Sequence, residues 1–177
     1  MGNIAMIYAS VHHGNTKKAV DYLSTKISAT VVDVTKEKAF DVSEYDTVIF
    51  ASGIYFGQFH KSILEYIETV DVLGKNVILL YTCGIKVQDY AKKLKKILEQ
   101  KGATVLGDCY CRGFDTYGFL AKIGGIAKNH PNEKDLEILR FSKCVRLNSC
   151  ISLSRNDNVT VGKLFHRRTM RNSLFFE

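Results

Sequence analysis

At 177 residues, 46% hydrophobic and 24% charged, the chain has the length of one domain and enough apolar content for a sizeable core, which excludes a disordered, collagen-like or disulfide-dependent small protein. No stretch of roughly 18 apolar residues occurs, excluding a transmembrane helix, and Met1-Gly2-Asn3 leads straight into Ile4 without a basic region or cleavage site, so a cytoplasmic location is expected. The net charge of +7, from 25 Lys and Arg against 18 Asp and Glu, suits anionic partners but comes with no nucleic-acid-binding motif.

In chain order, residues 4–9 form a continuous apolar run, as expected of a strand covered on both faces. A loop over 10–15 precedes a helix with Ala19, Val20, Leu23 and Ile27 on one side. Residues 30–34 and 47–51 read as the second and third strands, and Ile63, Leu64, Ile67 and Val70 line a second helix. Residues 76–81 read as a fourth strand. The helix after it is expected to turn Val87, Tyr90, Ala91, Leu94, Ile97 and Leu98 inward. Lys92, Lys93, Lys95 and Lys96 then fall outside, as a solvated face or a docking patch. Gly102 ends that helix, and residues 103–109 give a fifth strand. Pro131, the single proline, with Glu133 and Asp135 behind it, marks the start of a last helix running to about Leu147.

Five alternations of strand and helix predict a parallel sheet with helices on both faces, a three-layer α/β sandwich. Right-handed crossovers favour the strand order 2-1-3-4-5. Ligands in such sheets bind beyond the carboxyl ends of the strands, at the switch point between strands 1 and 3. The loops following residues 9, 51, 81 and 109 are therefore where function is expected.

The first of these contains Ser10, His12, His13, Gly14, Asn15 and Thr16. It leads from a strand into a helix, so backbone N–H groups converge on the positive end of a helix dipole. The composition fits a phosphate cradle; it also fits a simple helix cap by Asn15 or Thr16. Neither GxxxxGK[ST] nor GxGxxG is present. An apolar strand ending in Tyr8, then Ser10 through Gly14 and Thr16, resembles the FMN-phosphate loop of flavodoxins, with one residue more between Ser10 and Gly14 than short flavodoxins have. The second loop holds Ser52, Gly53, Ile54, Tyr55, Phe56 and Gly57, followed by Gln58-Phe59-His60. Its glycines allow a tight turn and its aromatics offer a flat wall for a flavin ring. A similar stretch occurs in the menaquinone-dependent protoporphyrinogen oxidases. Thr82, Cys83 and Gly84 follow the fourth strand and resemble the loop whose backbone meets the flavin's pyrimidine edge. The long connection from Arg112 to Pro131 is expected to form a lid or a partner surface.

The resemblance spans about residues 3–147 and implies a flavodoxin-like domain over 1–147 that binds FMN. Residues 148–177, dense in arginine and ending in Leu174-Phe175-Phe176, read as a basic C-terminal extension that docks on the body, pairs two subunits or touches a membrane surface. The five cysteines show no metal spacing and read as reduced thiols. Cys109 and Cys111, two apart, are expected on one sheet face. No histidine has zinc-ligand spacing; His12 or His13 is expected at the FMN phosphate or ribityl chain, and His60 as a helix cap or substrate contact.

Three functions are open to this sequence. The first is electron transfer through bound FMN to a redox partner protein. There the basic charge would favour the negatively charged reduced cofactor and raise its potential. The second is an FMN-dependent oxidoreductase of protoporphyrinogen oxidase or quinone reductase type, acting on a small quinone-like substrate. The third is a flavin-free interaction domain.

Overall fold

The computed structural model describes residues 3–141. The elements are β1 Ile4–Ala9, α1 Asn15–Ser24, β2 Thr30–Asp33, β3 Thr47–Tyr55, β4 Gln58–Phe59, α2 Lys61–Thr69, β5 Asn76–Cys83, α3 Lys92–Gln100, β6 Thr104–Arg112, α4 Phe119–Lys122 and α5 Glu133–Phe141. Five strands pair in parallel in the order β2-β1-β3-β5-β6, and β4 joins β3 antiparallel at its end. The parallel path is the predicted one; the short β4 is an addition that shifts the numbering. No described helix is long and apolar enough to cross a membrane.

Side-chain alternation along the central strands sorts the core into two layers. Val48 and Phe50 of β3 join Ile7, Ile63, Ile67, Leu79 and Leu98, on the side of α2 and α3. Ile49 and Ala51 join Met6, Val20, Leu23, Leu80, Leu136 and Leu139, on the side of α1 and α5. Every residue of β1 is buried, as its unbroken apolar run implies for a strand covered twice. Ile27 is buried although α1 stops at Ser24.

A bulge moves the far edge of the sheet across its own face. Val77 pairs with Val105, but Ile78 pairs with Gly107, leaving Leu106 as an extra residue. An inserted residue reverses the inward set of everything after it. Cys109 and Cys111 consequently lie together in the α1/α5 layer, on one face as expected. Asp108 turns towards α3 instead. There it binds Lys95 Nζ at 2.5 Å, with Asp89 at 3.2 Å on the same ammonium. Lys95 is thus half-buried, unlike the exposed Lys92, Lys93 and Lys96. Val87, expected inward, precedes α3 and is 75% exposed. Pro131 stands two residues before α5, behind a cis His130–Pro131 bond, while Glu133 and Asp135 occupy the first turn.

The expectation of five reduced thiols is corrected: Cys109 is disulfide-bonded, whereas Cys83 and Cys111 are free. An odd cysteine count constrains the set, not any one member of it. The proposed extension over 148–177, and the end of the last helix near Leu147, lie outside the described residues.

Candidate functional site

The carboxyl ends of β1, β3, β5 and β6 are in register, with Ala9 opposite Ser52, Gly53 opposite Thr82, and Thr82 opposite Cys111. Their loops therefore rise from one edge of the sheet and meet.

After β1 the chain takes left-handed backbone at His13 (φ 55°) and Gly14 (φ 66°) before entering α1. Gly14 is the N-cap and supplies no side-chain cap to the helix start. Ser10 partly fills that role, its Oγ accepting from the Lys17 N–H at 3.1 Å. A hydroxyl that accepts keeps its own proton to donate. Neither Asn15 nor Thr16 caps. Asn15 Nδ2 donates to the Phe114 carbonyl at 2.7 Å, and Thr16 Oγ1 shares a 2.9 Å hydrogen bond with Thr82 Oγ1. His13 Nε2 lies 2.8 Å from Thr116 Oγ1, with its ring 4.4 Å from that of Phe114. Of the two adjacent histidines, one is thus fastened to the loop after β6. His12 stays exposed, its ring 5.7 Å from Tyr55.

β3 runs four residues past its predicted end, and β4 folds back on it through Ile54–Phe59 and Tyr55–Gln58 pairs. Left-handed Phe56 (φ 52°) and Gly57 (φ 79°) make the turn. Ser52 locks the hairpin's base: its Oγ donates to the Gly53 carbonyl at 2.6 Å and accepts from the His60 N–H at 2.8 Å. Tyr55 folds back over Gly53, where an added Cβ would meet its ring at 3.0 Å. Burial raises the Tyr55 hydroxyl's pKa, and the backbone N–H groups of Val11 and His12, facing its oxygen, partly offset this.

On the β5 side, burial pushes the Cys83 thiol up to about 11, so it stays protonated at neutral pH and packs rather than attacks. Gly84 sits against Asp115 and Ile126, either of which a Cβ would meet at 2.8 Å.

These segments enclose a cavity of about 550 Å³, within the roughly 300–1,000 Å³ of small-molecule sites. His12, His13, Asn15 and Thr16 line one end. Gly53, Ile54, Tyr55, Phe56 and Gly57 form one wall, with Thr82, Cys83 and Gly84 between. Twelve of the fifteen site residues expected from sequence thus come together. Ser10, Gly14 and Ser52 stand outside the lining, the first and last holding the loops that form it. The sequence reading left out Ile85, Tyr90 and the opposite wall, Gly113 to Gly118. That wall follows a parallel strand like the other loops, in the connection expected to form a lid or a partner surface, and its position alone points to the site. No Lys or Arg is among the lining residues.

His60 is the N-cap of α2, its Nδ1 accepting from the Ser62 N–H at 3.3 Å, which requires an unprotonated nitrogen. Burial, then the charge of Lys61, holds its pKa below the usual 6.5. The unfolded chain therefore binds the proton more readily, so stability rises with pH and is lost as pH falls. The contribution is complete above the ordinary histidine pKa and disappears as pH drops through the folded one. His60→Asn keeps a cap at any pH. Between about pH 7.5 and about pH 5 the wild type should lose up to ~1 kcal/mol, the worth of a cap, relative to that variant. Paired thermal melts at the two pH values check this.

Comparison with known proteins agrees with the geometry. The flavodoxin domain family model matches residues 5–123. An uncharacterized protein of Methanocaldococcus jannaschii is 34% identical over 146 residues, covering 81% of this chain and 97% of its own. Among solved structures, a WrbA-like flavodoxin from Agrobacterium tumefaciens superposes with a TM-score of 0.61 at 15% identity, covering 86% of this chain and 99% of its own. A flavoprotein in complex with FMN from Lactobacillus acidophilus NCFM gives 0.51 at 15% identity, covering 62% of this chain and 93% of its own. With the family model matching over most of the described residues, on a fold these structures share, the chain belongs to the flavodoxin domain family.

Proposed function

We propose that the protein binds FMN non-covalently in this cavity and works in electron transfer. The observation that carries the reading is the convergence of a helix start whose N-cap glycine offers no side-chain cap, an aromatic hairpin and the end of β5 on one cavity of about 550 Å³. The residues fit such a cofactor. The Val11 and His12 N–H groups already face an oxygen, that of Tyr55, which stands where an anionic oxygen would be welcome. Thr16, with His12 beside it, would hold the phosphate. Ile54 and Phe56 would flank the ring, and the backbone around Thr82 to Gly84 would meet its polar edge.

When bound, FMN supplies one- and two-electron redox chemistry. The chain's own part is to orient the ring and limit water. Asn15 and His13 do this by tying the loop after β6 to the phosphate end. Cys83, kept protonated, packs as a wall.

The test is the visible spectrum of the purified full chain, followed by titration of the stripped protein with FMN. A yellow protein that quenches FMN fluorescence at one equivalent is expected. A colourless protein that leaves added FMN fluorescent overturns the reading in favour of a flavin-free interaction domain. Reoxidation of the reduced protein by a small quinone, and not by protein electron carriers, would replace electron transfer by substrate oxidoreduction.

A further inference from the structure

The cavity opens on a surface that carries four large exposed apolar side chains. Phe56 is 80% exposed, Val87 75%, Tyr117 60% and Ile85 58%. All four stand on loops at the carboxyl ends of the strands. Phe56 is held outward by left-handed backbone, which a bulky residue rarely adopts, and meets Tyr117 edge-on at 4.9 Å. Their contact joins the hairpin to the loop after β6 across the opening. Three of the four, Phe56, Ile85 and Tyr117, also line the cavity, so the apolar patch is continuous with the mouth of the proposed site.

Lysines border this patch on one side. A groove of about 380 Å³ runs from Gly57 along α3 between Gln88, Tyr90, Lys92, Lys93 and Lys96. Gly57 and Tyr90 belong to both groove and cavity. Lys86 lies over the Tyr110 ring at 4.2 Å, extending the border to edge strand β6. None of these four lysines has an ion-pair partner within 4 Å among the described residues, in contrast to Lys95, which is held by Asp89 and Asp108. Asp89, the one carboxylate in the groove lining, is engaged there and also accepts from the Ala91 N–H.

We infer that this surface docks an acidic protein partner, its apolar centre at Phe56, Ile85, Val87 and Tyr117 and its charged rim at Lys86, Lys92, Lys93 and Lys96. The inference rests on the electron-transfer reading for its purpose, since a partner seated there covers the mouth of the proposed flavin site. An apolar centre with a charged rim is the anatomy of a transient protein interface, and the rim charge steers an oppositely charged partner into place. The chain's own remaining segment is an unsuitable occupant: residues 142–177 carry seven Lys and Arg against two Asp and Glu, like charges for this rim. A nicotinamide dinucleotide would engage the lysines but leave most of the apolar patch uncovered.

The experiment uses the full FMN-loaded chain, immobilised, with an acidic ferredoxin as probe and basic cytochrome c as the opposite-charge control. Expected is ferredoxin binding that weakens at least about tenfold when salt rises from low to physiological strength. Replacing Lys92, Lys93 and Lys96 together by Glu should abolish it and admit cytochrome c. Val87→Ser, which touches neither the rim charge nor the cavity, should weaken ferredoxin binding about threefold to tenfold. Retained flavin colour and an unchanged rate with a neutral quinone would show that the site itself is intact in all variants. Ferredoxin binding that ignores salt or the triple substitution overturns the proposal. So does lysine-dependent capture of anionic phosphatidylserine vesicles or of a nicotinamide dinucleotide without ferredoxin binding. A colourless protein that nonetheless binds ferredoxin through these lysines would remove the flavin reading and leave the docking surface standing.

Discussion

Asn15→Asp should reduce affinity for FMN about thirtyfold while costing riboflavin binding several times less. The Asn15 amide donates to the Phe114 carbonyl at 2.7 Å, and Gly113 is there to let it through, since a Cβ at 113 would lie 2.8 Å from Nδ2. Aspartate is nearly isosteric but has no donor. It sets a carboxylate oxygen against a carbonyl oxygen, at a cost of about 1–3 kcal/mol for the lost bond, and adds a negative charge at the phosphate end. Unit charges within about 8 Å repel by ~2 kcal/mol at an effective dielectric of 20, and 2 kcal/mol is about thirtyfold in affinity. In the free protein a carboxylate in the first turn of α1 gains about 0.3–1 kcal/mol from the helix dipole, so the fold should survive. Fluorescence titrations with FMN and riboflavin separate the two contributions, because only FMN carries the phosphate. Equal losses for both ligands would mean that the loop does not hold a phosphate.

Gly125→Ala should be the most damaging small substitution in the site, and Gly124→Ala beside it the control. Both glycines are left-handed, at φ 82° and 81°. At 124 nothing lies within 4 Å of the added Cβ, leaving only the conformational cost of roughly 1–2 kcal/mol. At 125 the Cβ would lie 2.8 Å from the Asp115 carbonyl oxygen and 2.5 Å from the Phe114 ring. That oxygen accepts from the Ile126 N–H at 2.8 Å, and the Asp115 N–H donates back at 3.1 Å. Parting this bridge adds about 1 kcal/mol for each bond and displaces the 113–118 wall. Gly125→Ala should therefore lose about 3–4 kcal/mol, or some 6–16 °C in Tm for a chain of this size, together with FMN affinity. Gly124→Ala should lose the smaller conformational share and keep the cofactor. Matching melts and titrations for the two variants would exclude the contact as the cause.

Much of this was legible in the sequence because it depended on runs and spacing. The unbroken apolar stretch Ile4–Ala9 reads as a strand covered on both faces, and with the strand order that alternation favours, topology named the ligand loops. What stayed hidden depended on single-residue offsets. The extra residue at Leu106 turns Asp108 and Tyr110 onto the α3 face, and no periodicity announces it. Lys95 is thereby drawn into an ion pair while three neighbouring lysines remain outside. Ser52 and Gly53 look like a loop by composition, yet they continue β3 because β5 supplies parallel partners for both. Tyr90 serves the α3 core and the cavity together, and a helical pattern reports only the first. The cap at Gly14 is backbone in origin, so the hydroxyl and amide that resemble capping groups were free to tie distant loops together.

The β3–β4 hairpin gives the aromatic wall a mechanical character that a loop would lack. Ile54 and Tyr55 are extensions of the strand at the centre of the sheet, and they move only if that strand does. Groups mounted on rigid elements keep their positions better than groups on loops. A chromophore resting on such a shelf would meet nearly the same surroundings before and after gaining an electron, and little structural rearrangement would stand in the way of the transfer.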